Sequence, residues 1–484
     1  MVGRITGGEP TLETIHRFAN APLCLPEGLH WNLPELFKQV LHGLGQAAAA
    51  APLGGLGVDA WGVDYALLDS AGRILGLPFH YRDSRTNGLV ARAHARVSRE
   101  DLYAVTGIQT LQINTVFQLL ADRRGSALVL SLADRIALVP DLLAYWLTGT
   151  LANEITIAST TGLLDARTGT WARGLIERLG LPARPFSANP VEPGITLGSV
   201  SRSHERTAER AVGVSVRSVA GHDTASAFAA APVGGPREAI LSSGTWSLVG
   251  LELEAPVLTA EACRYNLTNE RGVDGTTRLL ANVMGLWLIQ ECRRQWGREG
   301  RLYEYRELEA LATAAKAQAP LFDPDDPRFF TPGNMPAEIS AACAATGQMP
   351  PASAGDFVRA ALTSLACKYR LVLERLERVT GRDVEMVHVI GGGTHSRLHC
   401  QLIANILGRP VIAGPSEASA LGNVLVQARA AGELGSLTEM RAIASRMDGL
   451  AAYDPGGDPA GDELYGRFLD VTGLGVDPVA PAVA

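Results

Sequence analysis

The chain of 484 residues is long enough for two or three domains of ordinary size. Hydrophobic residues make up 46% of it and charged residues 19%, the balance of a folded protein with hydrophobic cores. Its net charge of −7, without a basic block, argues against nucleic acid as a partner, so a small soluble substrate fits better.

Neither the N-terminus nor the cysteines indicate export from the cell. The segment Met1-Val2-Gly3-Arg4-Ile5 lacks the apolar core and the cleavage site of a signal peptide. The six cysteines are scattered, and no two of them form a Cys-x-x-Cys pair. A zinc site or a disulfide framework is therefore not expected, and buried free thiols fit a reducing compartment. We expect the protein in the cytoplasm.

The first half of the sequence predicts a mixture of strands and helices. Its most apolar stretch, 127–149, is interrupted by Asp134, Arg135, Pro140 and Asp141, whereas a bilayer span needs about 20 uninterrupted apolar residues. This stretch therefore predicts a buried helix. In chain order, the patterns predict a strand at 14–18, a helix at 33–44, a strand at 58–69 with a hairpin turn at 69–73, helices over 99–146 and 170–179, and a Pro-rich break at 181–194.

After this break, apolar strands and glycine turns begin again. The patterns predict strands at 216–220 and within 239–250, a helix at 356–380, a strand at 384–390 and a helix at 396–407. This order indicates an α/β protein with two domains around a central cleft. The predicted domains are 1–230 and 231–435, followed by a C-terminal helix and tail at 436–484.

The strongest chemical signal is Gly221-His222-Asp223-Thr224-Ala225-Ser226-Ala227, directly after the predicted strand at 216–220. Ligands of α/β folds bind at the carboxyl ends of strands. There the carboxylate of Asp223 could accept a hydroxyl proton, and the amides of the next helix could face negative charge. Asp also caps helices very often. From this segment alone, the two interpretations of Asp223 are equally good.

Two glycine turns could bring the backbone close to phosphates. Leu241-Ser242-Ser243-Gly244-Thr245-Trp246-Ser247 joins two apolar strands, and its small residues let amides approach phosphate oxygens. An ordinary hairpin turn is nevertheless the more frequent reason for such a pattern. Val389-Ile390-Gly391-Gly392-Gly393-Thr394-His395-Ser396 leads from a strand through three glycines into a helix, so a nucleotide could lie against bare backbone. It matches neither a P-loop nor a dinucleotide-binding loop.

Three further segments carry polar or aromatic candidates. Trp61-Gly62-Val63-Asp64 offers an open backbone beside an aromatic face, on which a sugar could pack. His80-Tyr81-Arg82-Asp83-Ser84-Arg85 fits a structural ion-pair network better than a site. Asn282 and Gln290 are eight residues apart, close to two helical turns of about 3.6 residues each, which predicts one shared helix face. A buried amphipathic helix accounts for most residues between them.

Taken together and in this order, these segments resemble the FGGY carbohydrate kinases. The resemblance extends from Ile15-His16-Arg17-Phe18 to Gly414-Pro415-Ser416-Glu417 and Leu421-Gly422-Asn423, nearly the whole chain. It implies the ribonuclease-H-like ATPase fold of actin and hexokinase, with two such domains closing over a cleft. The segments that are similar to family members acting on L-rhamnulose are 61–64, 80–86, 107–109 with 114–115, and 284–287.

The resemblance also implies a reaction. The γ-phosphate of ATP would pass to the C1 hydroxyl of L-rhamnulose, with Asp223 as the base, Mg²⁺ bridging the phosphates and domain closure excluding water. No residue is implied as a metal ligand. The implied binding residues are Gly62, His222, Thr224 and Asn282 for the ketose, Thr245 for the ATP phosphates, and Gln290 and Gly392 for the nucleotide site.

Two alternatives stay open. The same chemistry could serve another ketose such as L-fuculose, because the orientation of one hydroxyl is not readable from sequence.

Family members also begin with a strand and a D-L-G-A-S-S-G-R-like loop that binds the ATP phosphates, whereas Met1-Val2-Gly3-Arg4 is similar to the strand after that loop. We therefore expect a start assigned too far downstream, with a truncated product as the alternative cause, and in either case weak phosphate binding and slow turnover or none. The other alternative is a catalytically impaired, sugar-binding homologue.

Overall fold

The computed structural model describes residues 1–315, 318–331, 333–456 and 460–475. Its first half contains both strands and helices and ends with the helix that begins at Asp223. The elements are β1 Val2–Thr6, β2 Glu9–Glu13, β3 Leu23–Leu25, β4 Gly28–His30, α1 Leu33–Ala50, β5 Leu56–Gly57, β6 Tyr65–Leu68, α2 Leu89–His94, α3 Arg99–Thr106, α4 Thr115–Gly125, α5 Ala127–Leu132, β7 Arg135–Leu138, α6 Val139–Thr148, α7 Ile155–Ala158, α8 Arg173–Arg178, β8 Thr196–Ser199, α9 Glu205–Ala208, β9 Ser215–Arg217 and α10 Asp223–Ala229.

The second half has longer helices and longer strands. Its elements are β10 Glu238–Ser243, β11 Trp246–Leu253, α11 Ala260–Arg264, β12 Thr268–Arg271, β13 Thr277–Met284, α12 Trp287–Arg298, α13 Tyr305–Ala314, α14 Met335–Ala345, α15 Ala354–Thr380, β14 Met386–Ile390, α16 Arg397–Leu407, β15 Val411–Ala413, α17 Ala418–Ala430, α18 Leu437–Ala444, β16 Ala451–Tyr453 and α19 Ala460–Thr472.

A seven-stranded sheet organises the second half, in the order β12-β13-β11-β10-β14-β15-β16. The central strands β10, β14 and β15 are parallel, and the remaining pairs are antiparallel. Adjacent residues of β10 bury opposite faces: Leu241 belongs to the core formed with α12, α15 and α16, whereas Ile240 packs with side chains of α10 and α17. The sheet is therefore covered by helices on both sides.

The first half carries smaller sheets, in which β5 pairs in parallel with β9 and β6 pairs antiparallel with β7. The predicted helix at 33–44 is confirmed as α1. Asn32 caps it by accepting a hydrogen bond from the amide of Glu35 at 3.3 Å. This helix continues through an alanine run to Ala50, six residues beyond the prediction, because alanine is the strongest helix former.

Two predictions for the first half are wrong in detail. The predicted strand at 14–18 is a loop, since strand pairing ends at Glu13 and the ring of His16 packs against Phe18 and His42. The predicted buried helix within 127–149 is α5, β7 and α6, because the residues of β7 pair with β6. A run that is apolar on all sides does not separate a buried strand from a buried helix.

The predicted strand at 58–69 is interrupted. Within this range only β6, Tyr65–Leu68, is a strand, because β5 ends at Gly57 and Val63 has a left-handed φ of 67°. The predicted turn at 69–73 is confirmed, with the amide of Asp69 donating to the carbonyl of Arg73 at 2.9 Å. Gly72 occupies the left-handed position of this turn, with a φ of 78°.

The long elements of the second half agree with the predictions. The helix predicted at 356–380 is α15, which Ser353 and Asp356 begin with reciprocal capping and Gly381 ends at a φ of 65°. The strand at 384–390 and the helix at 396–407 are confirmed as β14 and α16. The predicted C-terminal helix is α19, docked through Tyr465 and Phe468. The tail predicted after it, from residue 476 on, lies outside the described residues.

None of the helices in the described part of the chain combines the length and apolar character that a membrane span requires. The six cysteines carry free thiols, of which Cys24 is exposed and the others are buried.

Candidate active site

One cavity of about 440 Å³ collects residues from both halves of the chain. Its wall combines the end of β10, the start of α10, the 61–63 loop and the glycine turn after β14. Gln290 is the one predicted site residue outside the wall, and the hydroxyl of Thr245, in the wall, donates to its Oε1 at 3.3 Å. The predicted site residues in the wall are Gly62, His222, Asp223, Thr224, Thr245, Asn282 and Gly392.

Asp223 stands at the end of a strand-like pairing that extends the sheet of β5 and β9. The amide of Asp223 donates to the carbonyl of Ala60 at 2.9 Å, and the amide of Ala60 donates to the carbonyl of Gly221 at 2.9 Å. The residue that caps α10 is His222, without a side-chain capping hydrogen bond. Capping therefore does not occupy the carboxylate of Asp223, which remains 43% exposed and accepts the hydroxyl of Thr224 at 3.2 Å.

A buried carboxylate holds the backbone just before Asp223. Glu154 accepts the amide of Gly221 at 2.9 Å and the hydroxyl of Thr156 at 2.6 Å. The same hydroxyl accepts the amide of His222 at 3.2 Å. Burial raises the pKa of Glu154 to about 7. Sequence reasoning missed Glu154, because it lies 67 residues before Gly221 and only the folded chain brings the two together.

The imidazole of His222 faces two charged side chains on its inner side. Its Nδ1 lies 3.2 Å from Nη2 of Arg278 and 3.3 Å from Oε2 of Glu270. Its Nε2 lies 3.6 Å from Oδ1 of Asp223. Burial acts to raise the pKa of Glu270, but the Arg278 guanidinium and His222 bring it below its ordinary value. Neither Glu270 nor Arg278 was identified from the sequence.

Aromatic side chains form the wall beside Gly62. The indoles of Trp31 and Trp61 both donate to Oδ2 of Asp64, at 2.5 and 2.9 Å, and their rings lie 4.3 Å apart. Gln118 donates to the other oxygen of Asp64 at 2.9 Å. Burial raises the pKa of this carboxyl to about 6. One buried side chain thus fixes both rings, so the predicted aromatic face beside Gly62 is present.

Asn282 and Gln290 do not share a helix face, contrary to the prediction. Asn282 lies on β13, which ends at Met284, and Gln290 lies on α12, which begins at Trp287, with Gly285 between the two elements. A Cβ at Gly285 would lie 2.7 Å from the carbonyl oxygen of Gly244, so the close approach requires glycine. Asn282 is instead held by Gln109, whose Oε1 accepts its backbone amide at 2.8 Å and its side-chain amide at 3.1 Å.

The two glycine turns lie side by side in the cavity wall. The segment 242–247 is the predicted hairpin turn, in which the amide of Gly244 donates to the carbonyl of Trp246 at 2.9 Å. Gly391 adopts a left-handed φ of 85° directly after β14. A Cβ at Gly393 would lie 2.1 Å from Oγ of Ser243, whereas one at Gly392 would meet no atom within 4 Å. Gly392 therefore presents bare backbone to the cavity.

The segment 80–85 is only partly the predicted ion-pair network. Arg85 forms an ion pair with Asp122. Arg82 instead enters an aromatic cluster of the second half, with its guanidinium carbon 4.0 Å from the ring centroid of Trp287 and 4.9 Å from that of Phe330. This contact joins the wall beside Tyr81 to the helix that carries Gln290.

Comparison with known proteins gives one consistent result. The family model described as "FGGY family of carbohydrate kinases, N-terminal domain" matches residues 28–229, and the corresponding C-terminal domain model matches 239–431. A rhamnulokinase of Bacteroides thetaiotaomicron is 40% identical over 97% of this chain and 96% of its own length. A rhamnulokinase of Enterococcus faecalis is 40% identical over 90% of this chain and 88% of its own length.

Solved structures show the same fold at lower identity. Ligand-bound xylulose kinase from Lactobacillus acidophilus has a TM-score of 0.76 at 15% identity, covering 96% of this chain and 93% of that one. Plasmodium falciparum glycerol kinase with ADP has a TM-score of 0.73 at 15% identity and the same coverage. These likenesses confirm the predicted fold class, two α/β domains around a central cleft.

Proposed function

The chain belongs to the FGGY family of carbohydrate kinases, and we propose that it transfers the γ-phosphate of ATP to the C1 hydroxyl of L-rhamnulose. One observation carries the proposal of kinase chemistry: a single cavity is lined by the open carboxylate of Asp223, by Trp61 and Gly62, and by the glycine turns that contain Thr245 and Gly392. The choice of sugar rests on relatives named rhamnulokinase, which align over nearly all of this chain.

Asp223 acts as the general base in this proposal. Phosphoryl transfer needs an oriented nucleophile and neutralised phosphate charge, and it requires little covalent chemistry from the protein. The carboxylate of Asp223 is exposed to the cavity, while its backbone is fixed through Ala60. It can therefore accept the hydroxyl proton as the oxygen attacks phosphorus.

The ketose occupies the end of the cavity near Asn282. Gly62 lets it approach the backbone beside the fixed indole of Trp61, and such a ring face packs well on the apolar face of a sugar. His222 and Thr224 flank Asp223 and hydrogen-bond the sugar hydroxyls near the reacting carbon.

The nucleotide occupies the other end. The hydroxyl of Thr245 donates to a phosphate oxygen, and its present partner Gln290 lines the nucleotide site. The exposed backbone at Gly392 accommodates the nucleotide without a side chain in the way.

Magnesium accompanies the nucleotide in this proposal. Among residues 1–315, 318–331, 333–456 and 460–475, no group of three His, Cys, Asp or Glu side chains is arranged to hold a metal ion. A wall with only two exposed carboxylates among the described residues, Asp223 and Glu417, fits an ion held mainly by phosphate oxygens and water, the usual arrangement for Mg²⁺. When bound, the ion neutralises phosphate charge. We place the reaction in the cytoplasm, where reduced cysteines are the rule.

Release of ADP, coupled to NADH oxidation, tests the proposal over a panel of ketoses. We expect the highest kcat/KM with L-rhamnulose and a lower value with L-fuculose. A higher kcat/KM with another ketose would refute the proposed substrate and keep the kinase. Sugar binding by calorimetry without ADP release from any ketose would refute the proposed catalysis and indicate a sugar-binding protein.

A further inference from the structure

A buried ion pair lies beside His222, and its carboxylate, Glu270, also lines the cavity. Glu270 on β12 and Arg278 on β13 are cross-strand partners, and Nη2 of Arg278 lies 3.1 Å from Oε2 of Glu270. The side chains are 4% and 0% exposed. Removing two charges from water costs several kcal/mol for each ion, and replacing such a pair by apolar residues is often neutral or stabilising. Its presence beside the cavity therefore suggests a role other than stability.

The geometry of the ion pair decides which nitrogen of His222 carries the proton. Two groups approach Nδ1, but only Nη2 of Arg278, at 3.2 Å, forms a hydrogen bond with it, whereas Oε2 of Glu270, at 3.3 Å, forms none. Because a guanidinium can only donate hydrogen bonds, Nδ1 is the acceptor. The proton of the neutral ring is then on Nε2, 3.6 Å from Oδ1 of Asp223. With the opposite tautomer, the lone pair of Nε2 would face the carboxylate, which is unfavourable.

A neighbouring acidic residue shows that the arrangement is specific. Glu252 on β11 is also a cross-strand partner of Arg278. It is nevertheless bound by Arg441 at 2.8 Å, and Oε2 of Glu270 is the carboxylate oxygen that meets both Arg278 and His222. Arg278 thus stands between two glutamates and is directed to His222 by one of them.

We propose that Arg278, with Glu270 as its counter-ion, is a positioning residue that fixes His222 as an Nε2–H donor to the substrate beside Asp223. The inference rests on the proposed sugar-kinase function and extends it to two residues that do not themselves transfer a proton. In this arrangement the ring donates one hydrogen bond, to the sugar oxygens or to the carboxylate of Asp223, and its plane is held from behind.

A double-mutant cycle tests the proposal. We expect Glu270→Gln to lower kcat/KM for the ketose at least about tenfold, because hydrogen bonds to charged groups are lost or reoriented, and to leave the KM for ATP within about twofold. In a His222→Ala background the same change should cost less than about twofold, since Glu270 acts through the ring. An equal loss in both backgrounds would overturn the proposal.

Glu252→Gln is the matched control, since it changes the other glutamate opposite Arg278 and does not face His222. It should leave ketose kinetics unchanged. Two conservative variants, Glu270→Asp and Arg278→Lys, test whether a loss of activity is due to misfolding. Both keep the two opposite charges in the interior and should therefore fold. Arg278→Lys should also lower kcat/KM for the ketose, since lysine lacks the planar fork that reaches both partners. Wild-type kinetics in a folded Arg278→Lys protein would contradict the proposal.

Failure of the proposed function is recognised separately. If the wild-type chain turns over no ketose in the panel, calorimetric titration with L-rhamnulose compares the wild type with Glu270→Gln, with and without His222→Ala. If Glu270→Gln weakens sugar binding relative to the wild type, and the same change has no effect in the His222→Ala background, the positioning role is supported. Equal affinities of the wild type and Glu270→Gln overturn it.

Discussion

The amide of Asp223 donates to the carbonyl of Ala60 at 2.9 Å, so the candidate base and the loop that carries Gly62 are held in one strand-like pairing. The two segments are more than 160 positions apart in sequence. Because the pairing uses backbone groups, the position of Asp223 depends little on its own side chain. Substitution of that side chain can therefore test its chemistry without disturbing the fold.

Asp223→Asn should lower kcat about 10²- to 10⁴-fold, the range for loss of a general base. The side chain is 43% exposed, so the free energy of unfolding should change by less than about 0.5 kcal/mol. Initial-rate kinetics and calorimetric binding of ketose and ATP separate the effects, since binding should persist. A variant that keeps wild-type kcat would exclude Asp223 as the base.

The sequence predicted the segments of the site better than the contacts between them. Asp223, Thr245 and Gly392 were found because polar or small residues after apolar strands form a local pattern. Glu154 and Glu270 are single acidic residues without such a pattern, and their roles depend on partners far away in sequence. Local periodicity carries no information on such pairings.

The errors in the predicted elements have the same origin. The strand β7 reads as part of a helix because it is apolar throughout and buried. Asn282 and Gln290 have helical spacing, yet Gly285 separates a strand from a helix between them. In contrast, α15 was predicted within two residues, since an amphipathic pattern over many turns and a terminal glycine are local signals.

Asp64→Asn should change the pH dependence of stability. Burial raises the pKa of Asp64 to about 6, compared with about 3.9 in an unfolded chain. Between these values the folded state holds more protons, so the free energy of unfolding falls as pH rises, by about 3 kcal/mol in total. The asparagine variant lacks this loss.

Urea unfolding at pH 4 and pH 7 measures the effect of Asp64→Asn. Asparagine can still accept the indoles of Trp31 and Trp61 through its carbonyl oxygen, but its amide group then faces the amide of Gln118, which is also a donor. The resulting loss of stability is equal at both pH values and leaves the pH dependence of the variant unaffected. Its stability relative to the wild type should be higher at pH 7 than at pH 4. A difference between the two proteins that does not vary with pH would contradict a raised pKa for Asp64.

Thr245→Ala should raise the KM for ATP about tenfold, because a hydrogen bond to a charged phosphate is lost. The KM for the ketose should not change, since Thr245 lies in the turn between β10 and β11 and its hydroxyl contacts Gln290, which we assign to the nucleotide site. Gln290→Ala should act in the same direction through its contact with Thr245. Thr313→Ala, on the exposed face of α13, is the control. An equal rise in both KM values would contradict separate ends of the cavity.

Gly422→Ala should both lower the free energy of unfolding and lower kcat. A Cβ at Gly422 on α17 would lie 1.8 Å from the carbonyl oxygen of Ser226 on α10, so one of the two helices has to move. Such overpacking costs about 3 kcal/mol. Because α10 begins at Asp223, its displacement also moves the base away from the ketose, and kcat should fall even in the fraction that stays folded.

Gly466→Ala provides the matched control in α19, where a Cβ meets no atom within 4 Å. There alanine should stabilise the helix by about 0.5–1 kcal/mol and leave kcat unchanged. Urea unfolding measures the stability of both variants, and initial rates measure their kcat. If Gly422→Ala were less stable but kept the wild-type kcat per folded molecule, the packing of α10 on α17 would stabilise the fold without setting the position of Asp223.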